Sequence, residues 1–198
     1  MKAISTLKNE ARTALRGNWG SAAIASVLYG IIIGSTNGAP GLGYFFLAIP
    51  IEFGFVNSFR KLLKGNSSIV DNTVENAFVN YGHKVGTGAL RWVYVFLFSL
   101  LFIIPGIIKS LSYALVPFIL EDNPSLTAGE TLRLSADMMR GNKGRLFGLY
   151  LSFIFWWLLC LLFTLGIGFY FLKPFVRTTV AAFYEDIKAN YTPDPYQM

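Results

Sequence analysis

LFGLYLSFIFWWLLCLLF, residues Leu146–Phe163, runs for a full membrane-length segment without one charged side chain. At 1.5 Å per residue such a helix is about 27 Å long, close to the roughly 30 Å hydrocarbon core of a bilayer. The whole chain is built in the same manner. Of its 198 residues, 54% are hydrophobic and only 14% charged, and its mean hydropathy is +0.49. A soluble domain carries about 25% charge, because its surface must stay dispersed in water. These values exclude a disordered chain and a disulfide scaffold, and they point to a protein that uses lipid as solvent. Its one cysteine, Cys160, lies inside the apolar run, so no intrachain disulfide is possible.

Working outward, five further apolar segments match the one at 145–164: 19–35, 41–59, 89–104, 107–120 and 167–184. Glycine and proline interrupt several of them, which membrane helices tolerate. Segments 89–104 and 107–120 are short, and only Pro105 and Gly106 separate them. They form either a spanning hairpin or a re-entrant one.

Lysine and arginine set the orientation. Fourteen of the seventeen basic residues fall in the N-terminal arm, in Arg60–Arg91, in Arg133–Arg145 and at Lys188. The alternate connections, Ser35–Pro40, Pro105–Gly106 and Thr164–Gly168, carry no charge at all. The expected topology is a multi-pass protein of the cell membrane, with N and C termini cytoplasmic. The net charge of +6 then faces anionic lipid headgroups, which makes membrane lipids the expected partners and leaves nucleic acid out. A protein partner or a homo-oligomer is open. The N-terminal arm is not read as a cleaved signal. Its basic stretch is long, and Ile4, Leu7, Ala11, Ala14 and Leu15 share one helical face. It reads as an amphipathic helix at the cytoplasmic surface.

The chain also repeats itself. RGNWG (Arg16–Gly20) recurs as RGNKG (Arg140–Gly144), and GLGYFFL (Gly41–Leu47) recurs as GIGFYFL (Gly166–Leu172). YGHKVG (Tyr81–Gly86) holds the corresponding place in a looser middle copy. The expectation is an all-α integral membrane protein. It is one polytopic membrane domain over 1–198, with six transmembrane helices as three tandem hairpins and with cytoplasmic amphipathic helices. The hairpin repeats cover about 1–65, 66–122 and 123–190, followed by a short tail, 191–198.

Within each hairpin the first span is nearly all apolar and the second carries polar groups. Polar side chains avoid lipid, so the second spans should line the interior. The candidate intramembrane polar site is Glu52, Arg177, Lys109, Tyr113 and Lys173. Glu52 and Arg177 lie at the same repeat position, eleven residues past Gly41 and Gly166 respectively. That places both near the midplane, where an ionisable residue is paired or functional. A Glu52–Arg177 pair either clamps helix register or lines a path. Lys109 and Lys173 sit near the outer ends, where long stems snorkel to the headgroups. Segment 121–144 holds a Thr127-x-x-Glu130 capping box and an apolar side. It is expected to be a helix lying on the membrane.

No phosphate loop, dinucleotide fingerprint or nucleophile elbow occurs, and His83 stands without a second histidine or cysteine at metal spacing. The expectation is no catalytic residue, no metal, no cofactor and no enzyme.

The run Ile103–Glu130 (IIPGIIKSLSYALVPFILEDNPSLTAGE), followed by Met138–Ile154 (MMRGNKGRLFGLYLSFI) and AAFYED (Ala181–Asp186), resembles the bacterial integral membrane proteins of domain-of-unknown-function family 975. The resemblance implies a polytopic protein of the cytoplasmic membrane. It brings no activity and no site residues. The expected function is a non-enzymatic lipid- or protein-binding membrane component; the alternative is a small transporter or channel component with a polar path along the second spans.

Overall fold

A computed structural model describes residues 1–36, 44–101, 103–164 and 168–192. Most of the connection at Ser35–Pro40, the start of the GLGYFFL motif, most of Thr164–Gly168 and the tail from 193 lie outside the described residues. The described chain is all-α. Its helices are α1 (Ile4–Leu15), α2 (Trp19–Thr36), α3 (Ile49–Leu63), α4 (Ile69–Phe78), α5 (Tyr81–Leu101), α6 (Ile103–Ser112), α7 (Val116–Asp122), α8 (Ala128–Met138), α9 (Lys143–Thr164) and α10 (Phe169–Asn190). A π-helical turn, Tyr44–Ala48, leads into α3.

Local sequence explains many of the boundaries. The Thr127 hydroxyl accepts from the Glu130 N–H, and the Glu130 carboxylate accepts from the Thr127 N–H, so the expected capping box starts α8. Gly17 and Gly141 end α1 and α8 with φ +84 and +77, a conformation that glycine adopts without strain. The asparagine after each glycine opens the next helix: the Asn18 carbonyl accepts from the Ala22 N–H, and the Asn142 carbonyl from the Leu146 N–H. Asn80, at φ +52, does the same for Lys84 at the start of α5.

Three expectations need correction. Pro105 and Gly106 do not form the turn between the third and fourth segments; both lie in the first turn and a half of α6, where proline is tolerated. Helix α5 ends at Leu101 and α6 begins at Ile103, and Gly106 lets α6 approach α5 at Ser99. The fourth segment is not one continuous helix either. It breaks at residues 113–115 and restarts with Pro117 in the first turn of α7. Last, the apolar stripes of α1 and α8 are not free for lipid. Leu7, Ala11 and Leu15 are fully buried against protein, and so are Leu132, Met138 and Met139. A stripe at helical spacing states that a face is buried, not what buries it.

Helix α4 arises where charge alone suggests a connection. It runs antiparallel along α3: Ile69 packs near Leu62, the Thr73 and Ser58 hydroxyls meet at 2.9 Å, and Thr73 and Ala77 cross Gly54 by backbone. Tyr81 then donates to the Phe46 carbonyl.

Burial separates the helices into two kinds. Nearly all of α3, all the apolar residues of α7 and the second half of α10 are buried. Helices α2, α5, α6 and α9 leave large apolar side chains exposed, among them Ile31, Leu100, Ile104, Phe155 and Leu158. Trp92, Trp156, Trp157 and Tyr150 are exposed as well. One described stretch, Ile104–Asp122, is long and apolar enough to cross a membrane by itself. Helices α1 and α2 pass the same test as a pair, bent by 97°. The six spans expected from hydropathy are therefore not all present as separate, membrane-length helices among the described residues.

Candidate functional site

Two tiers of charge join the buried helices. In the first, Glu52 on α3 meets Arg177 on α10, with 3.9 Å between Oε1 and Nη2. Arg91 on α5 approaches the same Oε1 at 4.0 Å. One carboxylate thus serves two guanidiniums, at distances longer than the 2.7–2.9 Å of a direct charge-assisted bond. A cavity of about 70 Å³ lies at their centre, beside Ser110 and Tyr150. Larger grooves open on either side. One, of about 190 Å³, runs between Glu52, Arg91 and Trp92. The other, of about 280 Å³, holds Arg177 and Lys173 with Tyr29, Tyr150 and Trp157.

The remaining candidate residues stand apart from Glu52. Lys109 places its ammonium over the Phe98 ring at 4.5 Å and near the Tyr113 ring. Tyr113 is buried in a cluster with Phe53, Val116 and Leu132. Lys173 lies near its own neighbour, the Tyr170 ring, and shares the second groove with Arg177. So the structure brings Glu52, Arg177 and Lys173 around adjoining cavities, leaves Lys109 against α5 and packs Tyr113 among α3, α7 and α8. His83 meets the Pro124 carbonyl at 3.0 Å.

The second tier was not anticipated from the sequence. It lies eight residues further along α3 and α10, about 12 Å in helical rise. Arg60, 4% exposed, sends Nη1 to Asp122 Oδ1 at 2.6 Å, Nη2 to Asp122 Oδ2 at 2.7 Å and Nε to Glu185 Oε1 at 2.6 Å. Tyr184 and Lys188 also donate to Asp122, and the Arg60 guanidinium lies over the Tyr184 ring. Three helices, α3, α7 and α10, are tied through one side chain. Lys84 is buried more deeply still, at 2% exposed. It donates to the Asn76 carbonyl and sits 3.5 Å from Glu121. The sequence held a signal for this tier: Arg60 and Glu185 are 125 residues apart, the same offset as Glu52 and Arg177.

Asp186 anchors the N-terminal arm. It accepts from the Lys2 backbone N–H at 2.9 Å and from Arg145 at 3.0 Å, so the chain just before α1, helix α9 and helix α10 meet on one carboxylate. Burial pushes the Glu185 and Asp186 carboxyls up. The bonds and charges of Arg60 and Lys64, and of Arg145 and the Lys2 N–H, outweigh it, and both settle below the ordinary carboxylate range. Groups held low in the fold stabilise it above their unfolded value, and that contribution fades as pH falls through it. The melting temperature in detergent should therefore drop as pH falls from about 5 toward 3. Asp186→Asn should flatten that slope; a profile unchanged across the window in the native chain would contradict it.

The family model described as "Protein of unknown function (DUF975)" matches residues 79–191, more than half of the chain. No curated protein and no solved structure matches it.

Proposed function

We propose, for a chain that belongs to the DUF975 family of proteins of unknown function, a non-enzymatic role as a lipid- or protein-binding integral protein of the cell membrane. The observation that carries this reading is the exposed apolar belt. It includes Ile24 to Ile31 on α2, Trp92 to Leu100 on α5, Ile104 to Ile108 on α6, and Phe147 to Leu158 on α9. So many large apolar side chains exposed on four helices suit hydrocarbon better than water. Six helical segments, α2, the turn into α3, α5, α6, α9 and the first half of α10, then enter the bilayer as three hairpins. Helices α1, α4, α7 and α8, with the second halves of α3 and α10, form a charged layer on the cytoplasmic side. The three turns at Asn18, Asn80 and Asn142, evenly spaced in the chain, support a repeat with one hairpin after each.

Arg91 immediately precedes the belt on α5, and Glu52 follows the exposed Phe46 and Leu47 on α3. This reading puts the Glu52 tier where the belt meets the charged layer, not at the midplane. A transporter would use the same tier as its path. The 70 Å³ cavity beside Glu52, Arg91 and Arg177 is the observation that favours that reading.

Membranes carrying the Cys160→Ser chain with either Ser35→Cys or Ser67→Cys test the topology. The protein should stay in the pellet after an alkaline carbonate wash. An impermeant maleimide should label Ser35→Cys in intact cells and Ser67→Cys only after permeabilisation. Release by carbonate would overturn membrane embedding, and labelling of Ser67→Cys in intact cells would overturn the orientation.

A further inference from the structure

The groove between α2, α9 and α10 has a charge surplus in an apolar setting. Arg177 and Lys173 are one turn apart on α10 and face the same cavity of about 280 Å³. Among the described residues, Lys173 has no carboxylate within ion-pair distance, and Arg177 shares its only one, Glu52, with Arg91. Two cations, Arg91 and Arg177, therefore share one anion, and Lys173, one turn from Arg177, adds a third positive charge to the adjoining groove. An uncompensated cation beside hydrocarbon is costly, so such a site calls for a further anion.

The walls say what carries that anion. Tyr29 on α2 and Tyr150 on α9 offer hydroxyls beside Arg177. Trp157 lies two turns beyond Tyr150 on the same face of α9, with exposed Ile154 between them. Tyrosine and tryptophan collect at the headgroup level of a bilayer. A cationic pocket floored on α10, rimmed by aromatics and continuous with bare aliphatic surface, matches a ligand with an anionic head and long apolar tails. We propose that this groove binds the phosphate of an anionic phospholipid, with Lys173 and Arg177 as its ligands and the acyl chains laid over α2 and α9. The inference rests on the membrane reading above.

Trp157 supplies the readout. In a chain carrying Trp19→Phe, Trp92→Phe and Trp156→Phe, the remaining tryptophan lies in the groove. The protein is placed in nanodiscs of phosphatidylcholine containing a small fraction of either phosphatidylglycerol or phosphatidylcholine brominated in its tails. Brominated phosphatidylglycerol should quench Trp157 more strongly than brominated phosphatidylcholine at equal fraction. At about 1 kcal/mol per cation near the surface, Lys173→Gln should lower that preference by about fivefold. Arg177→Gln with Lys173→Gln should abolish it. Lys173→Gln breaks no ion pair, so it tests the site even where the double variant fails to fold. Equal quenching by both lipids would overturn the proposal while leaving the chain in the membrane. No quenching by either would overturn the membrane reading as well. Loss of the preference on adding millimolar inorganic phosphate would assign the site to a free anion and overturn the lipid.

Discussion

Arg60→Met should be the most damaging single substitution in the charged layer. The guanidinium is 5% exposed in its side chain and makes close contacts to both Asp122 and Glu185. Methionine fills similar space but, among the described residues, leaves Asp122 with only Tyr184 and Lys188, and Glu185 with only Lys64. Removing one member of a buried ionic cluster costs about 3–5 kcal/mol, mostly as uncompensated charge. For a chain of this size, that is a loss of roughly 6–20 °C in melting temperature. Thermal unfolding followed by circular dichroism in detergent measures it. The triple variant with Asp122→Asn and Glu185→Gln should recover much of the loss, because neutral amides remove the stranded charges. A loss in Arg60→Met below about 1 kcal/mol would mean that the cluster is solvated and holds nothing.

The second large effect is expected at Gly54. A Cβ built there would stand 2.2 Å from the Thr73 carbonyl oxygen and 2.9 Å from the Ala77 nitrogen. Both atoms are backbone, so no side-chain rotation relieves the clash. Helices α3 and α4 must separate, and the Ser58–Thr73 hydroxyl bond goes with them. Gly54→Ala should cost about 1–3 kcal/mol as over-packing, and Gly54→Leu more. Gly20, inside α2, is the control, since nothing lies within 4 Å of its added Cβ. Gly20→Ala should be neutral or stabilising by up to about 1 kcal/mol, because alanine loses less backbone entropy in a helix. Equal effects at the two sites would refute the close α3–α4 crossing.

These two positions also mark how far the sequence could be read. Gly54 looked like one of several glycines in an apolar segment. Its role depends on α4, which hydropathy does not register because Asp71, Asn72, Glu75 and Asn76 dilute its apolar face. In the sequence Arg60 is one more basic residue between apolar segments. Its partners lie 62 and 125 residues away, and only the meeting of three helices makes it a hub. The Glu52–Arg177 approach was legible because each lies eleven residues past a similar glycine motif, at Gly41 and Gly166. The same offset of 125 residues, applied eight positions further along, would have pointed to Arg60 and Glu185.

What the sequence determined by itself is local. Helix-forming apolar segments, the glycine and asparagine turns and the Thr127–Glu130 cap each follow from residues within a few positions of one another, and those interactions form wherever the helix ends up. It also determined that certain faces must be buried. Which surface buries them was decided by tertiary structure. The stripes of α1 and α8 went to protein, while α2, α5 and α9 kept theirs outward. Hydrophobicity names no partner in either case, because transfer out of water is non-directional. Charge pairing is directional and short-ranged, so its geometry exists only once α3, α7 and α10 have been packed side by side.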